Sequence, residues 1–493
     1  MTDEKLTDRN RWIALYVLCA GMLMIVLDVT VVNVALPSIQ DDLGFSQSSL
    51  AWVVNAYLIA FGGLLLLSGR LGDLLGRKSV LMAGLGVFTL ASLLCGVAWS
   101  QETLVAARFI QGVGGAMTSA VILGMIVTMF PDPREQAKAI GVYGFVASAG
   151  GSIGLLAGGV LTQSINYHWI FFVNIPIGIV TAVLAHRLIE RDEGIGFRRG
   201  ADVAGAVLIT TCLMLTVYTI VKPAAEDGWG SGQALGLLAL SIALLVAFIV
   251  REARTATPLM PLGIFRSRNL SGANLVQALT VAGMFGVFFL GSLYLQRVLG
   301  YDALQIGLAF LPTTVIMGTL SLRYAERLMM RFGAREVLVP GLALIAIGLV
   351  LFSRAPVDGS YLTDVLPVMI VLAVGIGVSF PPLITLAMSG ATPQAAGLAS
   401  GLVNTAAQVG GALGLAVLAT VSASHTESLA AGGQATAAAL TGGYHLAFLI
   451  AAGLVVAAIA VALAVLESEQ QAATHAEPAA EHVGAPQVCS EVA

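Results

Sequence analysis

The stretch LDVTVVNVALP, residues 27–37, places an acid, Asp28, and an amide, Asn33, near the end of an apolar run over residues 12–36. The hydrocarbon core of a membrane is about 30 Å thick and needs about 20 apolar residues per helix, so this run is long enough to cross it. The run is too long for a signal peptide and lacks a cleavage site, and the segment before it is polar and charged. We therefore interpret residues 12–36 as a retained membrane span.

The composition of the whole chain also indicates a membrane protein. Of its 493 residues, 57% are hydrophobic and only 11% are charged, whereas an average globular domain carries about 25% charged residues. The net charge of -4 comes with no basic stripe, so we expect no nucleic-acid partner. Three of the four cysteines lie in apolar runs and one in the C-terminal tail, which gives neither a disulfide framework nor metal-ligand spacing.

Apolar runs of span length recur along the chain and give fourteen predicted membrane helices. No alternating pattern of a β-barrel is present, so the spans are predicted to be helices that satisfy their own backbone hydrogen bonds. The runs cover residues 12–36, 50–68, 79–98, 103–130, 138–162, 170–188, 202–221, 233–250, 270–295, 304–322, 337–353, 364–386, 397–421 and 444–466. The predicted fold class is an all-α membrane protein with two six-helix bundles and two intervening helices.

Basic stretches divide the chain into four predicted parts. We expect an N-terminal six-helix bundle over 12–188, a linker with two extra transmembrane helices over 189–269, and a C-terminal six-helix bundle over 270–466. Residues 467–493 are rich in Ala, Glu and Pro and are predicted to form a disordered cytoplasmic tail. The loops 69–78 and 321–335 follow the second helix of each bundle and are both basic, which suggests an internal repeat of the kind common in transporters.

The distribution of basic residues predicts the orientation. If both termini are cytoplasmic, nearly all of the 24 Lys and Arg residues lie in inner loops, as the positive-inside rule requires. The predicted outer loops hold only Lys222, Arg297 and Arg354, and Arg108 lies inside a span.

Asp28 and Arg108 are charged residues within predicted spans, where a charge costs several kcal/mol and usually marks an ion or proton path. A helix rises 1.5 Å per residue, so both residues are expected at similar depths in the outer half of their helices. Burial favours the neutral form of a carboxyl group, so we hypothesise that Asp28 exchanges protons under the control of Arg108. The alternatives are a structural ion pair for Asp28, and an Arg108 that only holds helices together through backbone carbonyls.

The loop GRLGDLLGRK, residues 69–78, is the third notable segment. Its glycines predict a tight turn between two helices, and its basic residues predict a position at the cytoplasmic surface. We expect Asp73 to face the positive N-terminal end of another helix. The alternative is an ordinary positive-inside loop. The residues predicted to take part in gating in this loop are Gly69, Arg70, Asp73, Gly76, Arg77 and Lys78.

The fifth predicted helix is dense in glycine, which permits close contact between helices in a membrane. Gly141, Gly150, Gly154 and Gly158 are predicted to form a gating surface, with static packing as the alternative. Polar and aromatic side chains in several spans are candidates for the lining of a substrate cavity, although each is by itself more often a packing residue. These candidates are Asn33, Tyr57, Gln111, Gln277, Phe285, Phe289, Asn404 and Gln408.

No Walker sequence, HExxH motif or GxSxG elbow is present. We therefore expect no ATP-driven chemistry and no enzyme activity from the chain.

Several of these segments together resemble the major facilitator superfamily, and within it the fourteen-helix drug:proton antiporter branch. LDVTVVNVALP is similar to the first-helix motif of that branch, GRLGDLLGRK to the loop motif of the superfamily, and RFIQGVGGA to the fourth-helix motif that contains the proton-linked arginine, here Arg108. The glycines of the fifth helix match the antiporter motif, and HWIFFVNIPIG and YLQRVLGYDALQIGLAFLP are similar to the branch as well. The resemblance covers nearly the whole chain.

The sequence departs from the pattern of the family at a few positions. Leu155 stands where the antiporter motif usually has a proline, His168 where arginine is usual, and Met330 where an acid is expected by alignment on Gly333. Apart from Asp364 at the first position of the run 364–386, the predicted spans of the second bundle contain no acidic residue, in contrast to some relatives that export dications.

The resemblance implies a monomeric exporter in a bacterial inner membrane that works by alternating access. We expect a small-molecule substrate, surrounding membrane lipid, no cofactor and a proton gradient as the source of energy, with Asp28 taking about one proton per cycle. A lipid exporter or flippase, or a membrane sensor that has lost transport, are the alternative functions.

Overall fold

The computed structural model describes residues 8–45, 52–192, 194, 196, 202–221, 223, 228–255, 258, 260, 262–301, 303–389 and 396–467. In these residues the regular secondary structure is helical throughout, as the apolar runs predict. The tail predicted over 467–493 lies outside this part of the chain apart from Glu467.

The first helices of the chain form what we call the N-terminal set. The long apolar runs give long helices, and Gly76 and Pro133 stand at two of the boundaries between them. The set comprises α1 (Asp8–Leu43), α2 (Trp52–Leu75), α3 (Arg77–Gly96), α4 (Gln101–Met129), α5 (Pro133–Ser164), the short α6 (Trp169–Phe172) and α7 (Asn174–Leu188).

Two intervening helices and a second set follow. The intervening pair is α8 (Val203–Val221) and α9 (Gly232–Arg254). The C-terminal set comprises α10 (Arg268–Arg297), α11 (Ala303–Thr319), α12 (Ala325–Phe332), α13 (Ala334–Phe352), α14 (Leu366–Met388), α15 (Ala396–Ala431) and α16 (Thr436–Val465).

The described residues contain 13 helical spans that are long and apolar enough to cross a membrane, α6 with α7 and α11 with α12 each counting as one span. The shorter apolar segment Ala204–Ile220 in α8 occupies the place of the remaining predicted run. The predicted all-α membrane fold is therefore confirmed, and every predicted run coincides with a helix. The division into domains stays a prediction.

The turn predicted over residues 69–78 is wrong in its extent. Helix α2 continues through Leu75, so Gly69 and Asp73 are helical, and the chain breaks only at Gly76, whose φ is 92°. The second loop behaves in the same way, because helical residues run to Phe332 and the break lies at Gly333, with a φ of 93°. Both glycines adopt a backbone conformation that side-chain-bearing residues rarely take. The same break after the same helix in both sets supports the predicted repeat.

One end of the bundle, which we call the basic end, contains the junctions α2–α3, α4–α5 and α12–α13 and the start of α15. Here Asp73 of α2 accepts hydrogen bonds from the backbone N–H groups of Gly397 (2.9 Å) and Leu398 (2.8 Å). These N–H groups belong to the first turn of α15, where a helix leaves its donors unpaired and carries positive partial charge. A buried carboxylate of one set thus caps a helix of the other set.

Close backbone contact surrounds this cap. A Cβ atom on Gly397 would lie 2.6 Å from the carbonyl oxygen of Gly69, and one on Gly124 would lie 2.7 Å from that of Ala396. A Cβ on Gly141 of α5 would collide with the carbonyl oxygen of Ser321. The two sets therefore meet at the basic end over surfaces that admit no side chain.

The remaining glycines of the predicted gating motif pack inside the N-terminal set. Gly150, Gly154 and Gly158 of α5 face Val26, Thr30 and Val31 of α1. Only Gly141 of the motif contacts the C-terminal set at a distance that excludes a Cβ. The role of these glycines in gating stays a prediction.

The intervening pair packs against both sets. Gly62 and Gly63 of α2 leave room for Val217 and Met214 of α8. Toward the basic end, Ile209 of α8 belongs to a buried apolar cluster with Leu66 of α2 and Leu398 of α15. Helix α8 therefore covers the line along which α2 and α15 meet.

An ion pair closes the basic end of the intervening helices. The guanidinium of Arg251 contacts Asp202 at 2.7 Å and holds the pKa of that carboxyl below its ordinary value. Asp202 also accepts a hydrogen bond from the N–H of Gly205 at 2.8 Å, which caps the first turn of α8.

We predict that Asp73→Asn weakens the closure of the basic end. The loss of the negative charge at the helix N-terminus is worth about 0.3–2 kcal/mol, so the equilibrium between closed and open forms should shift about two- to thirtyfold toward the open form. The measurement is the rate of maleimide labelling of a cysteine introduced at Ser400, which is fully buried, in a background without the native cysteines.

Asp132→Asn is the matched control, because Asp132 caps α5 through the N–H groups of Arg134 and Glu135 within a single set. Labelling should rise for Asp73→Asn and stay unchanged for Asp132→Asn. Equal labelling of both variants would contradict a cross-set role for Asp73.

Candidate functional site

Asp28 of α1 and Arg108 of α4 form a buried ion pair. The carboxylate Oδ2 lies 2.6 Å from Nη1 of the guanidinium, and both residues are only 1% exposed. The depths expected from the helical rise thus lead to direct contact. Their predicted role in proton coupling is not tested by this geometry.

Two amide side chains complete the shell of the carboxylate. Gln111 donates from Nε2 to Asp28 Oδ1 at 2.7 Å, and Asn174 donates from Nδ2 to the same oxygen at 3.0 Å. Asp28 therefore accepts three hydrogen bonds, one of them charged.

The guanidinium of Arg108 is held from several sides as well. Its Nε donates to the backbone oxygen of Val53 in α2 at 2.9 Å, and its Nη1 also contacts Gln111 Oε1 at 2.6 Å. The ring of Tyr57 lies against the guanidinium with 4.5 Å between ring centroid and Cζ, a cation–π contact. The backbone-carbonyl contact considered as an alternative for Arg108 is thus present together with the ion pair.

Helix α3 of the N-terminal set also contributes to this site. Ser92 of α3 accepts a hydrogen bond from Gln111 Nε2 at 2.9 Å, and the thiol of Cys95 lies 3.5 Å from Gln111 Oε1. Gln111 was predicted as a cavity residue, and the structure instead places it between the two charges. Because its amide bonds to both Asp28 and Arg108, a movement of either charged group also changes a hydrogen bond of the other's partner.

Asn174 and Ser92 are site residues that the sequence reasoning missed. Asn174 lies within the stretch HWIFFVNIPIG, which carries part of the family resemblance, so a polar residue at the start of an apolar helix was the available signal. Ser92 lies in an apolar run without any distinguishing pattern.

The arrangement has a definite chemical capacity. Separating a buried ion pair leaves an uncompensated charge and costs about 3–5 kcal/mol, so Arg108 can leave Asp28 at low cost only if the carboxylate becomes neutral. Protonation of Asp28 would convert an acceptor for three donors into a group that donates one hydrogen bond itself. A single proton can therefore change which helix contacts are stable.

Five of the remaining predicted cavity residues lie on α10 and α15 of the C-terminal set. Asn404 of α15 lies within 3.4 Å of the Ser119 hydroxyl of α4, which joins the two sets at the centre of the molecule. Gln408 is half-buried, Gln277 is buried, and Phe285 and Phe289 are exposed at one face of α10. The side chain of Asn33 lies outside the part of the chain that the structure describes.

The predicted gating residues of 69–78 form a second cluster at the basic end. Arg77 contacts Asp73 at 3.3 Å and Thr128 of α4 at 3.2 Å, so it connects the helix cap to the N-terminal set. Asp192, which follows α7, accepts hydrogen bonds from the backbone N–H groups of Arg77 and Lys78 at 2.8 and 3.0 Å. Arg70 is half-buried beside this cluster.

Comparison with known proteins gives consistent results. The sequence profile described as Major Facilitator Superfamily matches residues 18–415. The puromycin resistance protein pur8 of Streptomyces alboniger is 41% identical over 94% of this chain and 93% of its own length. The cephamycin export protein CmcT of Amycolatopsis lactamdurans is 40% identical over 84% of this chain and 85% of its own length.

A solved structure has the same fold. The human organic anion transporter MFSD10 (TETRAN) superposes with a TM-score of 0.64 over 92% of this chain and 100% of that chain. At 15% sequence identity this similarity concerns the fold alone.

We predict that Asn174→Ala destabilises the protein by about 1–3 kcal/mol through the lost hydrogen bond to a charged group. The penalty should shrink in an Asp28→Asn background, because a neutral acceptor gains less from the same donor. The measurement is a double-mutant cycle of unfolding in detergent, with Asn166→Ala, an exposed asparagine, as the control. An equal penalty in both backgrounds would show that Asn174 does not act through Asp28.

Proposed function

The chain belongs to the Major Facilitator Superfamily, so it is a multi-pass membrane transporter and not an enzyme, and we propose that it exports small amphipathic molecules, drugs or antibiotics, in exchange for protons. Relatives named for resistance to puromycin and lincomycin and for cephamycin export support the export direction. Each of these names describes the relative, and the substrate of this chain is not fixed by them.

The observation that carries the proposal is the fully buried pair of Asp28 and Arg108 with its amide donors. In the proposed cycle a proton that reaches Asp28 neutralises the carboxylate and releases Arg108 toward Gln111 and the carbonyl of Val53. Loss of the proton restores the pair. The two protonation states thereby favour two different packings of α1, α2 and α4.

The basic end supports alternating access as the way these packings move substrate. With both termini in the cytoplasm, as the positive-inside rule favours, the cap of α15 by Asp73 closes the cytoplasmic side. In the proposed cycle, protonation of Asp28 from outside leads to release of this closure, and substrate then exchanges with the proton on the cytoplasmic side. The two sets would rotate about the contact between Ser119 and Asn404.

The proton gradient is large enough to drive such a cycle. Each pH unit supplies about 1.36 kcal/mol per proton, and each charge moved across 100 mV supplies about 2.3 kcal/mol. One proton per cycle, taken up by Asp28, is the stoichiometry that we propose. We also propose that the protein works as a monomer in a bacterial inner membrane and needs no bound cofactor.

We predict that Asp28→Asn abolishes gradient-driven export and retains substrate binding in part, because the amide keeps the shape of the site but cannot exchange a proton. The measurement is uphill transport by purified protein in liposomes with an imposed pH gradient. Asp41→Asn is the control, since Asp41 is an exposed acid on the same helix. Uphill transport by Asp28→Asn at the wild-type rate would refute proton coupling through this residue.

A further inference from the structure

Helix α10 carries three side chains with a buried polar atom that has no hydrogen-bond partner among the described residues, Asn274, Gln277 and Thr280, and Gln277 is the longest of the three. The carbonyl oxygen of Gln277 is buried and has no hydrogen-bond partner among the described residues, and the residue is 3% exposed. Gln277, Val281 and Phe285 recur at four-residue spacing and so share a face of α10. Val281 and Phe285 lie against Gly411 of α15. Gln277 therefore lies on the face of α10 that is turned toward α15, one helical turn closer to the basic end than Val281.

The register of the helices places further polar groups at the depth of Gln277. Gly410 of α15 packs on Ala278 of α10, so Gln277 is level with Gln408 and Val409. The contact of Asn404 with Ser119 places these two residues at the same depth. Because α15 runs away from the basic end and α4 runs toward it, Gln408 is level with Gly115 of α4, one turn farther from the basic end.

The phenol of Tyr57 lies at this same depth. A Cβ atom on Gly115 would lie 2.9 Å from the Tyr57 hydroxyl, and that hydroxyl also has no partner among the described residues. Gln277, Gln408 and Tyr57 thus form a layer of uncharged hydrogen-bonding groups across the centre of both sets.

Among the described residues, no unpaired charge lies at the depth of this layer. The ionisable residues of α10 and α15 lie at or near the ends of these helices, as Arg268, Arg297, His425 and Glu427, and α11, α14 and the middle of α16 contain none. In the N-terminal set Asp28 is already held by Arg108, Gln111 and Asn174. A cation entering this depth would find no unpaired carboxylate to compensate its desolvation.

We propose that the cavity is specific for uncharged amphipathic molecules that carry a hydrogen-bond donor, and that the Gln277 carbonyl oxygen accepts this donor. This inference rests on the proposed export function and names its substrate class. Phe285 and Phe289, exposed two and three turns farther along α10, contact the apolar part of the molecule. The buried oxygen, which has no partner among the described residues, obtains one from the substrate.

The charge of the substrate decides how the membrane potential acts. Exchange of one proton for one uncharged molecule moves one positive charge inward per cycle, so both the pH gradient and the potential drive export. Exchange of one proton for a monocation moves no net charge. An imposed potential without a pH gradient therefore drives uphill transport of an uncharged substrate and not of a monocation.

The test compares uncharged compounds with monocations in everted vesicles and proteoliposomes. Chloramphenicol and linezolid are the uncharged probes, and ethidium and tetraphenylphosphonium are the monocations. The wild-type protein should accumulate at least one uncharged probe, respond to a valinomycin potential alone, and leave both cations untransported. Gln277→Leu should weaken the apparent affinity for the uncharged probe about two- to tenfold, the effect of one lost hydrogen bond.

Gln277→Glu provides the sharper test, because it replaces the amide by a carboxylate of the same shape. It should create transport of ethidium or tetraphenylphosphonium and reduce that of the uncharged probe. Gln434→Glu, at an exposed position between α15 and α16, is the isosteric control and should change neither.

Three results would overturn the inference and leave the proposed export function standing. These are wild-type transport of the monocations as well as of the uncharged probes, wild-type transport of the monocations alone, or unchanged selectivity in both Gln277 variants. Absence of uphill transport of any compound, charged or uncharged, would instead overturn the proposed function itself.

Discussion

The rest of the structure depends on keeping two opposite charges, Asp28 and Arg108, in contact at a depth where neither can reach water. The desolvation of each ion costs several kcal/mol, and this cost is offset only if both charges have close partners and their remaining hydrogen-bond positions are filled. Those partners come from α1, α2, α3, α4 and α7. The N-terminal set must therefore hold these helices in one arrangement as long as Asp28 is ionised. The contacts that stabilise the set are therefore the same ones through which the proposed protonation of Asp28 would act.

The two sets share a backbone plan but differ in how they close. Gly76 and Gly333 break the chain at equivalent places with nearly the same φ. Three residues before Gly76 stands Asp73, which caps α15, whereas three residues before Gly333 stands Met330, which is exposed. The corresponding link from the second set is the ion pair of Glu326 with Arg134, a largely exposed arginine, and an exposed pair contributes little. The hydrogen bonds of Asp73 to the N-terminus of α15 are thus the stronger of these two polar contacts between the sets at the basic end. The glycine contacts around Asp73 add close packing.

The sequence was sufficient for the number of helices, for the buried charges and for their equal depth, because apolar run length and helical rise are fixed by the membrane and by backbone geometry. It did not predict how each helix is rotated about its own axis, and therefore which neighbour each helix face contacts. Gln111 was predicted to line a cavity and lies between two charges, and Asn174 was not predicted at all, since a single sequence does not say which neighbour a helix face meets. The glycines of 69–78 suggested a turn, but Gly69 serves the contact with α15 and Gly72 leaves room for Val121 and Arg77. Glycine in a membrane helix can indicate close packing as well as a break, and only the positive φ at Gly76 distinguishes the two.

The placement of charge in one set and of uncharged amides in the other separates two tasks that a single site would have to combine. A carboxylate that both exchanges the proton and binds a cationic substrate makes the two ligands compete for the same oxygen atoms. Here the carboxylate oxygens of Asp28 are occupied within the N-terminal set, while the buried carbonyl oxygen of Gln277, which has no partner among the described residues, lies in the C-terminal set. Proton and substrate can then affect each other only through the packing of the two sets, across contacts such as that of Ser119 with Asn404. Coupling of this kind requires that each ligand bind the two packings with different affinity; in the proposed mechanism the ion pair provides this difference for the proton, and the layer around Gln277 provides it for the substrate.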